Sequence, residues 1–156
     1  MKIQILTLVA LAAFTITPLR ADDAAVAAKL AKIPPAAAEA LKKAAGTAKI
    51  KAVDIEKEGK VTIYEVELVE DGKPDREVSV TADGKLNASE ETVPLEKVPE
   101  APRKAIEAGA KGAKIDRVQR ITRGGNAITY EAQYNNKGKK TEVEYLEDGK
   151  VKPEEK

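Results

Sequence analysis

The chain has 156 residues, 42% hydrophobic and 34% charged, which describes one or two small globular units and not a disordered polymer. It contains no His and no Cys, which excludes His-assisted serine or cysteine nucleophiles, imidazole or thiolate metal sites, and any disulfide. With 27 basic against 26 acidic residues, it lacks the basic surface on which nucleic-acid binding depends.

Residues 1–21 have the three parts of a secretory signal: Lys2, an apolar run from Ile3 to Ile16, and the small Ala21 before Asp22 and Asp23. The run is short for a membrane span and no second one follows. The expectation is export to the periplasm or beyond, with cleavage near Ala21 and no membrane insertion afterwards. Loss of Lys2 and Arg20 takes the balance from 27 against 26 to 25 against 26, a net charge of about −1.

Residues 22–32 read as a short helix, with Val26, Leu30 and the following Ile33 at helical spacing, and Pro34-Pro35 interrupts it. A second helix is expected over 36–45, with Pro35 in its first turn and Gly46 ending it. Its only large apolar residue is Leu41, so it should lie close to a sheet through alanines. The period then changes to two. Strands are expected over 49–58, 61–69 and 76–81, joined by Glu58-Gly59-Lys60 and by a hairpin at Asp71-Gly72-Lys73, with a short fourth strand at 85–88. Residues 87–99 lack periodicity and read as a joint.

The pattern then recurs. Val98-Pro99, Ile106, Lys114-Ile115 and Val118 follow Ile33-Pro34, Leu41, Lys49-Ile50 and Val53 at an offset of 65. Tyr130-Glu131 follows Tyr64-Glu65 at 66, and Glu142-Val143 and Asp148-Gly149 return to 65. Gly46, Gly59, Gly72 and Gly84 are answered by Gly112, Gly125, Gly138 and Gly149. Length changes confined to turns are what duplication of a folded unit predicts, because loops absorb them cheaply.

A helix, a Lys-Ile strand start, the Tyr64-Glu65-Val66 strand, the Asp71-Gly72-Lys73 hairpin, Glu77-Val78-Ser79-Val80 and a closing Asp83-Gly84-Lys85-Leu86 resemble the PepSY and PepSY-like repeat of exported bacterial proteins. The tandem arrangement is similar to the beta-lactamase inhibitory protein type of double repeat. The resemblance covers about 120 residues and implies an exported, non-catalytic module that binds or inhibits proteins, with no catalytic residue set. The expected fold is α+β, two tandem α-β-β-β(β) repeats, each a helix on a small antiparallel sheet, with the two able to form one continuous sheet. The expected boundaries are 1–21 signal peptide, 22–88 first repeat, 89–98 linker and 99–156 second repeat.

Alternation puts Tyr64, Val66 and Leu68, with Tyr130, Ala132 and Tyr134, on the face turned to the helices. Glu65 and Glu67, Glu131 and Gln133, and then Glu77, Glu142 and Glu144 fall on the other face, which Asp54, Glu56 and Glu58 extend. This face is either solvated and balanced by Lys51, Lys57 and Arg76, or a docking face for a basic or polar segment. Neither Ser79 nor Ser89 begins a Ser-x-x-Lys motif, and no EF-hand spacing is present. The expectation is therefore no enzyme, no cofactor and no dedicated metal site, with a protein or peptide partner, such as an exported hydrolase. The alternative is an envelope protein whose acidic sheet face responds to divalent cations.

Overall fold

The computed structural model describes residues 23–124 and 126–153, so the expected signal peptide lies outside the described residues. The elements in order are helices α1 (Asp23–Leu30) and α2 (Pro35–Ala45), strands β1 (Lys49–Glu58), β2 (Val61–Val69), β3 (Arg76–Thr81) and β4 (Leu86–Thr92), a 3-10 turn Leu95–Lys97, helix α3 (Glu100–Ala110), and strands β5 (Lys114–Arg123), β6 (Ile128–Asn136) and β7 (Lys139–Leu146). All seven strands form one antiparallel sheet in chain order, and the fold is α+β.

Each helix starts and stops where its punctuation demands. Pro35 occupies the first turn of α2, where its missing N–H costs nothing, and Gly46 ends the helix at φ 58°. Helix α3 follows Pro99 and ends on Lys111 in the left-handed region, with Gly112 next at φ 86°. The residue at the cap of α3 is thus Lys111, and the glycine expected there sits one place later.

The helices bury their small faces on one side of the sheet. Ala37 and Leu41 pack on Val53, Val66, Leu68, Val78 and Val80, with Tyr64 half-buried beside them. Ile106 and Val98 pack on Val118, Tyr130, Ala132, Tyr134 and Tyr145. The Tyr134 hydroxyl donates to the Ile106 carbonyl at 2.9 Å and lies 2.8 Å from the Tyr145 hydroxyl, so both phenols are satisfied inside the core. The expected close approach of α2 is enforced at Gly84, where a Cβ would stand 2.7 Å from the Ala36 carbonyl oxygen. Gly149 bears the same relation to Ala101 of α3, at 2.8 Å.

The registers follow the two offsets read in the sequence. Val53 faces Val66 and Val118 faces Ala132, and β1 and β5 each carry an irregularity, between Ile50 and Ala52 and between Ile115 and Arg117. One difference from expectation matters, and one contact at the end of the chain adds to the sheet. Strand β4 runs on to Thr92 instead of stopping at Ala88, and it pairs with β5 from Ala88↔Arg123 to Thr92↔Gln119. The charged tail is also held at its start, where Val151 bridges Tyr145 and the Lys152 N–H bonds the Glu144 carbonyl at 2.8 Å.

Candidate functional site: a carboxylate face on the sheet

Strand alternation leaves a second sheet face, opposite the helices, that no described helix covers. Register arranges it in cross-strand rows. One row runs Asp54, Glu65, Ser79, Ala88, Arg123; the next runs Glu67, Glu77, Glu90, Ile121, Thr129; a third runs Thr92, Gln119, Glu131, Glu144; a fourth runs Arg117, Gln133, Glu142. Carboxylates therefore stand directly opposite one another at Asp54↔Glu65, Glu67↔Glu77, Glu77↔Glu90 and Glu131↔Glu144, an arrangement that disfavours the sheet while all are charged.

The face is less solvated than alternation alone suggests. Ile63, Ser79, Ala88, Gln119, Ile121, Thr129 and Gln133 on it are all buried. Small residues alternate there with long ones, so the Glu and Arg side chains form the lid over their neighbours and lose part of their own hydration.

Those charged groups fall into two classes. Glu144 accepts hydrogen bonds from Arg123 and Thr129, and Lys152 Nζ reaches it at 3.1 Å. Burial pushes its carboxyl up, but these partners outweigh it and the net direction is down. Glu67 pairs with Lys51 at 2.5 Å and Gln133 donates to Glu142 at 2.8 Å. Glu77 takes weak contacts from Gln119 at 3.4 Å and Arg117 at 3.5 Å, and burial still raises it.

Glu65, Glu90 and Glu131 have neither a hydrogen bond nor an ion pair among the described residues. Burial, reinforced by the charges of Glu77 and Glu90, pushes Glu65 up to about 8. Burial also takes Glu90 and Glu131 to about 7, with Glu77 adding to the first and Glu142 to the second. Near neutral pH these three sit between the charged and neutral forms.

Of the residues expected to carry recognition, Glu65, Glu67, Glu77, Glu131, Gln133 and Glu144 lie on this face, and Glu142 lies at its exposed margin. Glu90, Arg117, Gln119 and Arg123 were not anticipated. Glu90 falls in the stretch read as a joint, and the signal that would have found it is the weak alternation Ala88, Glu90, Thr92 against Asn87, Ser89, Glu91. Among the described residues no group of acidic side chains could hold a metal ion.

No family model matches the chain, and no curated protein sequence matches it. Solved structures do resemble its fold. One is a DUF2874 family protein from Bacteroides ovatus, 15% identical, covering 76% of this chain and 84% of its own, with a TM-score of 0.57. Another, provisionally assigned to the periplasm, comes from Bacteroides eggerthii and is 20% identical, covering 76% of this chain and 85% of its own at a TM-score of 0.60. A third is a BLIP-like protein from Bacteroides fragilis, 22% identical, covering 79% of this chain and 85% of its own at 0.53. At these identities the shared property is the fold. Among the described residues no helix is long and apolar enough to cross a membrane.

Proposed function

We propose that this chain is an exported, non-catalytic protein of the PepSY-like and BLIP-like type that binds another protein or peptide on its carboxylate face, as a modulator or inhibitor of an exported hydrolase. The observation that carries the reading is the trio Glu65, Glu90 and Glu131. Three half-buried carboxylates with no hydrogen bond or ion pair, on which the more distant charges of Arg117 and Arg123 do not outweigh burial, cost stability, and a cationic segment laid on the face would give them the contacts that Arg123 and Lys152 give Glu144. Tandem duplication is supported by the matched registers and by the paired glycines Gly84 and Gly149. Export is supported by the leader at residues 1–21, and the periplasmic assignment of one structural neighbour agrees with it. Nothing specific favours a cation-binding role for the face.

Immobilised chain lacking residues 1–21 tests this against the exported proteins of its own cells. The wild type is expected to retain a defined protein at low salt and release it as salt screens the contact, and a Glu90→Gln, Glu131→Gln variant is expected to retain far less. No specific retention at low salt, or equal retention by the variant, would overturn the proposal.

A further inference from the structure

The two units carry the same hairpin with opposite charge. In the first, β2 and β3 are joined through Glu70-Asp71-Gly72-Lys73-Pro74-Asp75, three carboxylates and one lysine, and that lysine pairs with Glu70 at 2.7 Å. In the second, the turn between β6 and β7 reads Asn136-Lys137-Gly138-Lys139-Lys140, three lysines and no carboxylate, and all five residues are exposed. Two further lysines stand at the same end. Lys114 starts β5 in one cross-strand row with Asn135 and Lys140. The chain enters β5 from α3 by a tight turn, the Ala113 N–H bonding the Ala110 carbonyl at 2.8 Å, and Lys111 lies in that turn. Five lysines thus gather around Asp116, whose carboxyl is lowered by its bonds to Lys114 and Asn135, each at 2.9 Å, and by the charge of Lys140. Among the described residues the side chains of Lys111, Lys137, Lys139 and Lys140 make no hydrogen bond or ion pair.

The backbone supplies a second observation. Lys111 closes α3 at φ 47° and Lys137 enters the hairpin at φ 52°, ahead of Gly138 at φ 91°. Glycine or asparagine suits such positions, because a longer side chain strains the left-handed conformation. The first unit has Gly46, at φ 58°, where the second has Lys111 65 residues later. A lysine near a helix C-terminus or on an edge strand has structural reasons of its own, but neither calls for one at the strained tip of the hairpin.

We propose that this end of the second unit is a docking surface for anionic phospholipid headgroups, holding the protein end-on against a membrane without inserting into it. The residue type fits a charged plane better than a shaped protein partner. The bidentate carboxylate contact on the sheet face is made by an arginine, Arg123 on Glu144, whereas the five cations here are all lysines, point charges on flexible stems. No aromatic or large aliphatic side chain lies within residues 136–140 to anchor a protein interface. From Asp22 onward the chain carries 25 basic against 26 acidic residues, so it is not drawn as a whole to an anionic surface, and the attraction falls to this end. Each lysine held near such a surface raises partition about fivefold. End-on docking also keeps the carboxylate face clear of headgroups that would repel it. The proposal does not depend on what that face binds.

The test is sedimentation of the chain from Asp22 onward with vesicles of phosphatidylcholine, alone or mixed with phosphatidylglycerol, in physiological salt, where charges act over about 8 Å. Partition onto the mixed vesicles should exceed that onto phosphatidylcholine by about tenfold or more and be lost in high salt. Lys137→Gln with Lys139→Gln and Lys140→Gln should reduce it by about tenfold or more. Removing the same charge from the matching end of the first unit, by Lys42→Gln, Lys43→Gln and Lys73→Gln, should leave it within about twofold. Lys137→Asn separates charge from fold: it should raise the melting temperature through a better turn while cutting partition about fivefold. Absent partition onto the mixed vesicles, equal partition onto phosphatidylcholine, or equal loss in the two triple variants would overturn the proposal. So would tighter binding of polyglutamate than of the mixed vesicles at the same salt, which would make an acidic polypeptide the occupant.

Discussion

Glu65, Glu131 and Glu144 occupy the same sheet face, yet the fold treats them oppositely. A carboxyl whose folded pKa lies above its unfolded value binds more protons when folded, so its contribution to stability is full at low pH and is lost as pH rises through the folded value. For Glu65, Glu90 and Glu131 that window runs from the ordinary carboxylate range to about 7 or 8. The melting temperature should therefore fall between pH 5 and pH 8.5, and Glu65→Gln with Glu131→Gln should raise it at pH 8.5 by several degrees while flattening its pH dependence. A melting temperature that climbs over this interval would contradict the assignment. Glu144 behaves in the other sense: its lowered carboxyl contributes stability that is lost as pH falls, so Glu144→Gln should destabilise at pH 7 by about 1 kcal/mol, measured by urea unfolding.

At the scale of elements, the helices are held to the sheet by what is absent as much as by what is buried. Gly84 and Gly149 have positive φ, 79° and 82°, and a methyl group at either would run into a helix carbonyl. Gly84→Ala and Gly149→Ala should each cost about 2 kcal/mol and add when combined, because the two sites share no partners. Gly109 makes a similar gap in α3: a Cβ there would overlap the Tyr145 hydroxyl and lie 2.8 Å from that of Tyr134. Much of this was legible in the chain. Alternation and the Gly59, Gly72 and Gly84 turns delimited the first three strands because each strand has one face of Val, Ile, Leu or Tyr. Strand β4 escaped notice past Ala88 because neither of its faces carries a large apolar residue there, Ser89 and Glu91 lying on one and Glu90 and Thr92 on the other. What makes it a strand is pairing on both sides, with β3 and with β5, and β5 lies some thirty residues away in sequence. Glu65 was readable as a face residue, but its lack of a partner was not, since that depends on Arg117 reaching Glu77 and Arg123 reaching Glu144 across strands.

Across the whole molecule, β4 makes one sheet of what would otherwise be two thin units, the first with an aliphatic core and the second built on Tyr130, Tyr134 and Tyr145. Burial of small aliphatic residues at about 25 cal/mol per Å² leaves a unit of this size marginal alone, so the two should melt together. Calorimetry should show a single transition whose van't Hoff and calorimetric enthalpies agree. Glu91→Pro removes the ladder bond to Arg120 while sparing the side paired with Arg76, and it should broaden or split that transition. The same continuity places Glu65 on β2 and Glu131 on β6 on one uncovered surface, which makes a shared partner feasible.

The central claim, that the lone carboxylates await a cationic partner, is tested most directly by a carbon-13 NMR titration of the Glu65, Glu90 and Glu131 carboxyls, free and saturated with an arginine-rich peptide. In the free protein they should titrate near 7 to 8, and in the complex they should fall to or below the usual carboxylate range, near 4. Carboxyls that titrate at the same pH with and without bound peptide would contradict the account.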